Sequence, residues 1–236
     1  MDCALFIRSY WKDLDWLGHC LAAVERYCSD FAETVVVLPE RSGAWARRRQ
    51  WPAFARFEVA PDYDDDYLGQ QVSKLHADQW TDCGLICHLD SDCLFQRPTR
   101  PSDLLVDGRP RIVTRPNAPL GRHYPWRGCT EAFLGMPVEL DFMCRPPFVF
   151  PRGLYAELRA YCDERHGVPL DRYVLSRPPR GFSEFNALGT YAWHRHRDAF
   201  AFVDIECAGP ACCEWFWSWD GVDAMRARIG EILDDG

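Results

Sequence analysis

The chain has 236 residues, 47% of them hydrophobic and 14% aromatic, which is enough apolar surface for one large folded domain and excludes intrinsic disorder. Its formal charge of −8 argues against broad electrostatic attraction to nucleic acid or to an anionic membrane. No stretch approaches the roughly 18 apolar residues of a membrane span, and the N-terminus lacks the basic start and cleavage site of a signal peptide. We therefore expect a cytoplasmic protein with no membrane span.

The first 90 residues alternate between short apolar runs and amphipathic segments. Apolar residues recur at three- and four-residue spacing after Asp13, which predicts a helix that this aspartate could cap. A second helix is predicted at about residues 69–80, and strands are predicted at residues 4–7, 34–38, about 57–60 and 84–90. The alternation predicts a doubly wound α/β sheet.

The second part of the chain is less regular. Six prolines between residues 98 and 125 favour loops there and make long helices improbable before residue 154. Beyond that point the sequence predicts helices at residues 154–166, about 183–194 and 222–233, with a strand at 200–205. No repeat or convincing linker is present, so we expect a single domain over residues 1–236.

Twelve cysteines are many for a cytoplasmic protein. No two of them have the Cys-x-x-Cys spacing of a zinc site, and several lie within apolar runs. Free cysteine behaves as a small apolar residue, so we expect reduced thiols in the core.

Two carboxylates, Asp90 and Asp92, end the fourth predicted strand. Alternate residues of a strand share a face, so both side chains can project beyond its carboxyl end, where open α/β sheets bind ligands. Oxygen ligands at this spacing suit Mg²⁺ or Mn²⁺, which keep open positions for the phosphates of a substrate. The alternative is that the two aspartates merely open a turn after a core strand.

Other polar residues are expected near the same edge. Gln70 and Lys74 lie four residues apart on the helix that precedes the fourth strand, so both could face one cleft, with Lys74 neutralising phosphate. The alternative is a solvated helix face. Arg8 and Ser9 follow the first strand and occupy the equivalent edge.

The segment His-Leu-Asp-Ser-Asp-Cys-Leu-Phe at residues 88–95 resembles the Asp-x-Asp motif of GT-A-fold glycosyltransferases. The upstream helix at residues 69–76 and the sequence Ser-Glu-Phe-Asn-Ala-Leu-Gly-Thr-Tyr at 183–191 extend the resemblance, which covers roughly residues 4–220 and is strongest to bacterial and phage transferases. It implies one GT-A-like domain with a Rossmann-like mixed sheet flanked by helices. The nucleotide-sugar half would span about residues 1–97, and a loop-rich acceptor half with a C-terminal flap would span about 98–236.

The resemblance also implies roles for individual residues. Asp92 would bind Mn²⁺ or Mg²⁺ directly, while Asp90 would contact the metal through water or hold donor hydroxyls, with Ser91 beside them in the donor site. Arg8 and Ser9 resemble nucleotide-contacting positions.

Two further candidates lie in the acceptor half. Glu184 would face the acceptor, as a ligand for its hydroxyls or as general base, unless it only stabilises the helix dipole. Either His194 or His196 would supply a later metal ligand, unless both lie on an exposed basic helix end.

Two aromatic segments complete the candidates. Trp217 and Trp219 lie in a segment with three tryptophans in five positions, and we expect them to stack on the donor within a flap that excludes water, unless they are ordinary core. A basic cluster with interleaved tryptophans would suit a DNA acceptor, or would be an exposed helix whose arginines pair with acids. Its members are Arg41, Trp45, Arg47, Arg48, Arg49 and Trp51.

The sequence therefore predicts a metal-dependent glycosyltransferase that takes a sugar from a nucleotide-diphosphate sugar, with UDP-sugar favoured, to a carbohydrate or small-molecule hydroxyl. One alternative is a phage-type enzyme that glycosylates a modified base in DNA. Another is a non-catalytic nucleotide-sugar-binding module. A nucleotidyltransferase or phosphohydrolase is a third, but the chain lacks a glycine-rich basic loop after its first strand.

Overall fold

Five strands form the main sheet of the structure, a computed structural model that describes residues 2–118 and 126–234. Their order is β3, β2, β1, β4, β9, with the first four parallel and β9 antiparallel to β4. These strands are β1 (Cys3–Arg8), β2 (Glu33–Pro39), β3 (Ala55–Ala60), β4 (Leu85–Asp90) and β9 (Phe148–Pro151). The central strands read as continuous apolar runs because helices cover both of their faces.

The strand order creates a topological switch point between β1 and β4. From β1 the chain proceeds to β2 and β3 on one side, and then crosses back to β4 on the other side. In the register of these two strands, Arg8 lies opposite Asp90, so the last residues of both strands meet at one edge. Open α/β sheets bind ligands in the crevice at such a point.

Helices cover the main sheet on both faces. In chain order, the helices of the described residues are α1 (Leu14–Tyr27), α2 (Gly43–Ala46), α3 (Asp66–Leu75), α4 (Trp126–Leu134), α5 (Gly153–His166), α6 (Leu170–Leu175), α7 (Glu184–Arg195) and α8 (Val222–Asp234). Leu5 and Ile7 of β1 pack in the same core as α1 and α8, whereas Phe6 packs in the core that contains α3, α5 and α7. Because side chains alternate along a strand, Arg8 belongs to the α3 and α7 side.

The remaining strands form two smaller sheets. One contains β6 (Leu105–Val106), β7 (Arg109–Pro116), β8 (Leu140–Asp141) and β10 (Ala201–Asp204). The other pairs β5 (Cys93–Phe95) with β11 (Cys213–Trp215) in an antiparallel ladder. This ladder brings Trp215 opposite Cys93, directly after the Asp-x-Asp motif.

The predicted α/β alternation is confirmed, and most predicted elements match within a few residues. The helix predicted at about 69–80 begins earlier, at Asp66, because the Asp65 carboxylate accepts hydrogen bonds from the backbone amides of Tyr67 and Leu68. Asp13 does not cap α1, since its side chain makes no capping hydrogen bond. That prediction is wrong.

The chain between residues 98 and 154 is more regular than predicted. It contains the eight-residue strand β7 and the nine-residue helix α4, while residues 119–125 lie outside the described part of the chain. Proline is tolerated in β7 because Pro110 and Pro116 lie near its two ends.

The twelve cysteines all lie in the described residues, and all are free thiols. Eight of them are buried, which agrees with the predicted core role. Within residues 2–118 and 126–234, no helix combines the length and apolar character needed to cross a membrane.

Candidate functional site

Charged side chains converge where β1 and β4 end at the switch point. Arg8 and Asp90 come from the ends of the two strands, Lys74 comes from α3, and Glu184 is the first residue of α7. Asp13 and Asp92 lie in the loops that leave the same edge. We call this set the strand-end cluster: Arg8, Asp13, Lys74, Asp90, Asp92 and Glu184.

Lys74 is buried at the centre of this cluster. Its side chain is only 3% exposed, and its Nζ lies 2.5 Å from Asp90 Oδ1 and 2.8 Å from Glu184 Oε1. The ammonium also lies over the ring of Phe185, 4.8 Å from the centroid. Burial acts to lower the pKa of Lys74, but the two carboxylates outweigh it and hold the pKa above its ordinary value. Lys74 is therefore a permanent cation that links α3 to the end of β4 and the start of α7.

Glu184 is held by this bridge. It is 5% exposed, and its carboxylate is paired with the ammonium of Lys74. Ser183 does not cap α7 with its side chain, because its hydroxyl accepts a hydrogen bond from Asn186 Nδ2 at 3.0 Å. A buried carboxylate held in an ion pair is better suited to orient the start of α7 than to collect a proton from an acceptor.

Asp92 is anchored by the segment that contains β11. Its Oδ1 accepts a hydrogen bond from Trp215 Nε1 at 3.2 Å, and its Oδ2 accepts one from the backbone amide of Ser218 at 3.1 Å. Burial and the neighbouring charge of Asp90 nevertheless raise the pKa of Asp92 to about 8. This carboxyl is therefore ionised at neutral pH only if a further positive charge lies beside it.

Asp13 is a functional candidate that the sequence did not single out. Burial and the charge of Asp90 raise the pKa of Asp13 to about 6, while a hydrogen bond with the Ser218 side chain opposes the shift. Asp13 interacts electrostatically with Asp90 and Asp92, so it faces the cluster instead of capping α1. Its position in the loop after β1, at the edge that carries Asp90, was the available signal.

The cluster fits a divalent cation by charge, though it does not form a complete ligand cage. Its four carboxyl groups accompany only two cationic side chains, and burial, followed by the charge of Asp90, raises the pKa values of Asp13 and Asp92. In the described residues, no three His, Cys, Asp or Glu side chains converge in metal-binding geometry. A carboxylate has about four acceptor positions, so the two hydrogen bonds to Asp92 leave capacity for a cation. Mg²⁺ is commonly held by one or two carboxylates, with water and phosphates completing the shell.

Arg8 and Ser9 present unpartnered polar atoms at the same edge. Arg8 is 3% exposed, and burial lowers the pKa of its guanidinium to about 10. One of its terminal nitrogens donates to the Ser9 carbonyl, but Arg8 Nε and Ser9 Oγ have no hydrogen-bond partner among the described residues. Buried polar atoms are normally paired, so these two are candidates for ligand contacts.

Gln70 and Ser91 are the two other donor-site candidates near the Asp-x-Asp motif, and their positions give less information about a binding role. Gln70 lies one helical turn before Lys74 and is partly exposed, whereas Lys74 itself is enclosed. Ser91 is 4% exposed and lies in the turn between Asp90 and Asp92.

His194 and His196 do not reach the strand-end cluster. His194 lies ten positions after Glu184, about 15 Å further along α7 at the normal helical rise. Its Nε2 hydrogen-bonds to the Pro137 carbonyl at 2.8 Å, and His196 Nε2 contacts Glu157 Oε2 at 2.7 Å. These contacts favour the exposed helix end over a metal-ligating role for His194 or His196.

Three tryptophans form a stack that begins at Asp92. The Trp215 and Trp217 rings are 5.2 Å apart between centroids, and the Trp217 and Trp219 rings are 4.7 Å apart. Trp217 is 47% exposed and Trp219 is 70% exposed, so burial in the core does not explain either ring. Trp217 lies between the other two, which leaves the outer face of Trp219 as the free end of the stack.

Two of the four arginines in the basic cluster near α2 form surface ion pairs. Arg41 pairs with Asp62 and Asp66, and Arg49 pairs with Asp15 at 2.7 Å. The guanidinium of Arg48 lies over the ring of Trp45, whose other neighbour is Trp11. These contacts agree with the interpretation of this cluster as exposed arginines paired with nearby acids.

No protein-family model matches this chain, and no curated protein matches it. A functional assignment therefore depends on the residues and geometry of the strand-end cluster.

Proposed function

We propose that this protein is a metal-dependent glycosyltransferase with a GT-A-like arrangement over residues 1–236. It would transfer a sugar from a nucleotide-diphosphate sugar, with UDP-sugar favoured, to the hydroxyl of a carbohydrate or small-molecule acceptor. The donor would bind to the half at about residues 1–97, and the acceptor to the half at about 98–236. A cytoplasmic location, expected from the sequence, is part of the proposal.

The observation that carries the proposal is the convergence of three carboxyl groups, those of Asp13, Asp90 and Asp92, at a topological switch point. Burial and the charge of Asp90 raise the pKa of Asp92 to about 8, so this carboxyl is ionised at neutral pH only if a positive charge lies beside it. A divalent cation would supply that charge and would prefer phosphate oxygens for its open positions. A nucleotide diphosphate in the crevice of the sheet satisfies both requirements.

In this proposal, the residues of the strand-end cluster have different roles. Asp92 and Asp90 would hold Mn²⁺ or Mg²⁺, which stabilises negative charge on a departing diphosphate when it is bound. Arg8 and Ser9 would donate hydrogen bonds to the donor, since Arg8 Nε and Ser9 Oγ are buried without partners among the described residues. Lys74 holds Asp90 and Glu184 in place through its two ion pairs.

Glu184 enters this proposal as a positioning residue. Its ion pair with Lys74 and its 5% exposure support a role in orienting α7 at the acceptor side, and they give no support to general base catalysis.

The alternative functions receive less support. For a DNA acceptor, two of the four arginines of the basic cluster, Arg41 and Arg49, are already engaged in surface ion pairs. A non-catalytic nucleotide-sugar-binding module would share the same crevice and differs only in turnover.

Thermal unfolding in the presence of UDP-, GDP-, CDP- and dTDP-sugars, with and without Mn²⁺, tests the proposal. A ligand that binds the folded state raises the unfolding temperature, so we expect one nucleotide class to do so in a Mn²⁺-dependent manner. Nucleotide release from that donor then separates an enzyme from a binding module. Absence of any Mn²⁺-dependent stabilisation, together with absence of nucleotide release, would refute the glycosyltransferase.

A further inference from the structure

The outer face of Trp219 is an aromatic surface in a fixed position. Trp219 is 70% exposed, and its inner face is stacked on Trp217 at 4.7 Å. The stacking contact with Trp217 therefore presents the outer face of the Trp219 indole to solvent, where it can bind a flat apolar surface. Trp219 lies in a short 3-10 helix (Ser218–Asp220), in which the Asp220 amide donates to the Trp217 carbonyl at 2.9 Å.

The stack is tied directly to the strand-end cluster. Trp215 Nε1 and the Ser218 amide both donate to the carboxylate of Asp92, and the Phe216 amide donates to the Asp92 carbonyl at 2.8 Å. The two centroid distances of 5.2 and 4.7 Å place the Trp219 ring at most about 10 Å from the Trp215 ring. A molecule that lies on Trp219 is therefore close to the segment that anchors Asp92.

The charges beside the stack select the class of molecule. Asp13 contacts Ser218 through its side chain, Asp92 accepts at the foot of the stack, and Asp220 follows Trp219 in sequence. Carboxylates repel a polyanion, but they accept hydrogen bonds from hydroxyl groups. A ring with an apolar face and a rim of hydroxyls matches both the indole and the acids, and this is the chemistry of a neutral pyranose.

We propose that Trp219 is the platform for a neutral oligosaccharide acceptor whose far end extends toward Asp92. This inference depends on the proposed function, because Trp219 belongs to an acceptor site only if the protein transfers a sugar to the bound molecule. It also reassigns Trp219 from the donor, as expected from the sequence, to the acceptor.

Calorimetric titration of the full chain with neutral oligosaccharides tests the inference. The probes are linear α-glucan, β-glucan and N-acetylglucosamine oligomers, each compared with its monosaccharide, and a single-stranded oligodeoxynucleotide serves as the polyanionic probe. Trp219→Ala should weaken oligosaccharide binding about tenfold, and Trp219→Tyr should restore part of the affinity because it retains an aromatic face. Trp45→Ala is the matched control, since Trp45 is also exposed and stacked but lies near α2.

The outcomes separate the inference from the proposed function. Trp219-dependent oligosaccharide binding, without nucleotide release from any sugar nucleotide, would show that Trp219 binds oligosaccharides, but it would refute the transferase and with it the role of the bound sugar as an acceptor. Nucleotide release by the wild-type protein, with no Trp219-dependent binding of any oligosaccharide, would overturn the platform alone. Trp219-dependent binding of the oligodeoxynucleotide in preference to the sugars would also overturn it.

Discussion

Two charged regions of this protein, the strand-end cluster and the basic cluster near α2, differ in how their charges are balanced. In the basic cluster, Arg41 lies between Asp62 and Asp66, and each of these side chains is about one third exposed or more. In the strand-end cluster, Lys74 is 3% exposed and pairs with two carboxylates, while Asp92 remains without a balancing charge. A high density of charged residues alone therefore does not indicate a functional site, whereas buried charges that are not balanced do.

Removal of the buried cation should produce the largest change in stability. Lys74→Met would leave Asp90 and Glu184 buried without their counter-ion, so we expect the free energy of unfolding to fall by about 3–5 kcal/mol. Urea unfolding monitored by circular dichroism measures this quantity.

The matched surface variant is Arg41→Met, which should cost less than about 1 kcal/mol because its ion pairs are solvated. The double variant Lys74→Met/Glu184→Gln should recover part of the loss. Equal decreases in the free energy of unfolding for Lys74→Met and Arg41→Met would show that the two regions do not differ in how their charges contribute to stability.

Neutralisation of Asp92 should abolish most metal-dependent activity. Asp92→Asn preserves the size of the side chain but removes the charge proposed to hold the cation, so we expect nucleotide release to fall by about two orders of magnitude or more. The initial rate of release from the donor that stabilises the wild-type protein is the measurement.

The control for Asp92→Asn is Asp62→Asn, which removes a carboxylate of similar type from a surface ion pair with Arg41. Its rate should match that of the wild type. Wild-type turnover in Asp92→Asn at ordinary metal concentration would remove Asp92 from the mechanism.

The metal-free protein should lose stability as the pH rises. The unfolded chain releases the Asp92 proton near the ordinary value of 3.8, but the folded protein retains it to about pH 8. The free energy of unfolding should therefore decrease across this interval, by at most about 1.4 kcal/mol per pH unit, and then level off.

Urea unfolding in the presence of a chelator, from about pH 5 to about pH 9, measures that slope. Asp92→Asn should reduce this slope by close to the contribution of one proton, whereas Asp62→Asn should leave the slope unchanged. A slope that is identical in wild type and Asp92→Asn would mean that the folded carboxyl titrates normally.

The smallest effects are expected at the basic cluster and at the end of α7. Replacement of Arg47, Arg48 and Arg49 by alanine should leave nucleotide release unchanged, because the proposed acceptor is not DNA. Duplex DNA binding that weakens steeply with salt, and that is lost in this variant, would instead favour the DNA-modifying alternative. His194→Ala should likewise leave Mn²⁺ affinity unchanged.

The sequence predicts most of the sheet and the centre of the site because the signals are local. The apolar runs of β1, β2 and β4 and the paired aspartates can be identified without tertiary knowledge. The sequence places Lys74 near the motif, but the burial of Lys74 depends on a tertiary contact with Glu184, which lies 110 residues later in the chain.

The misplaced and missed residues have specific physical causes. Asp13 was assigned to a helix cap because sequence spacing shows a local role more readily than an electrostatic contact with Asp90. His194 was grouped with Asp92 by resemblance, although ten residues of helix already separate it from Glu184 by about 15 Å. Trp219 looked like possible core, and only its 70% exposure and its place at the end of a stack distinguish it.

Electron paramagnetic resonance of Mn²⁺ at about pH 8, titrated into the protein in the presence of UDP, is the most direct test of a cation site at Asp92 and Asp90. We predict that the wild-type protein removes about one Mn²⁺ per chain from the free-ion signal, and that Asp92→Asn removes almost none while Asp62→Asn behaves as the wild type. Equal Mn²⁺ binding by wild type and Asp92→Asn, or no binding by either, would contradict the proposed site.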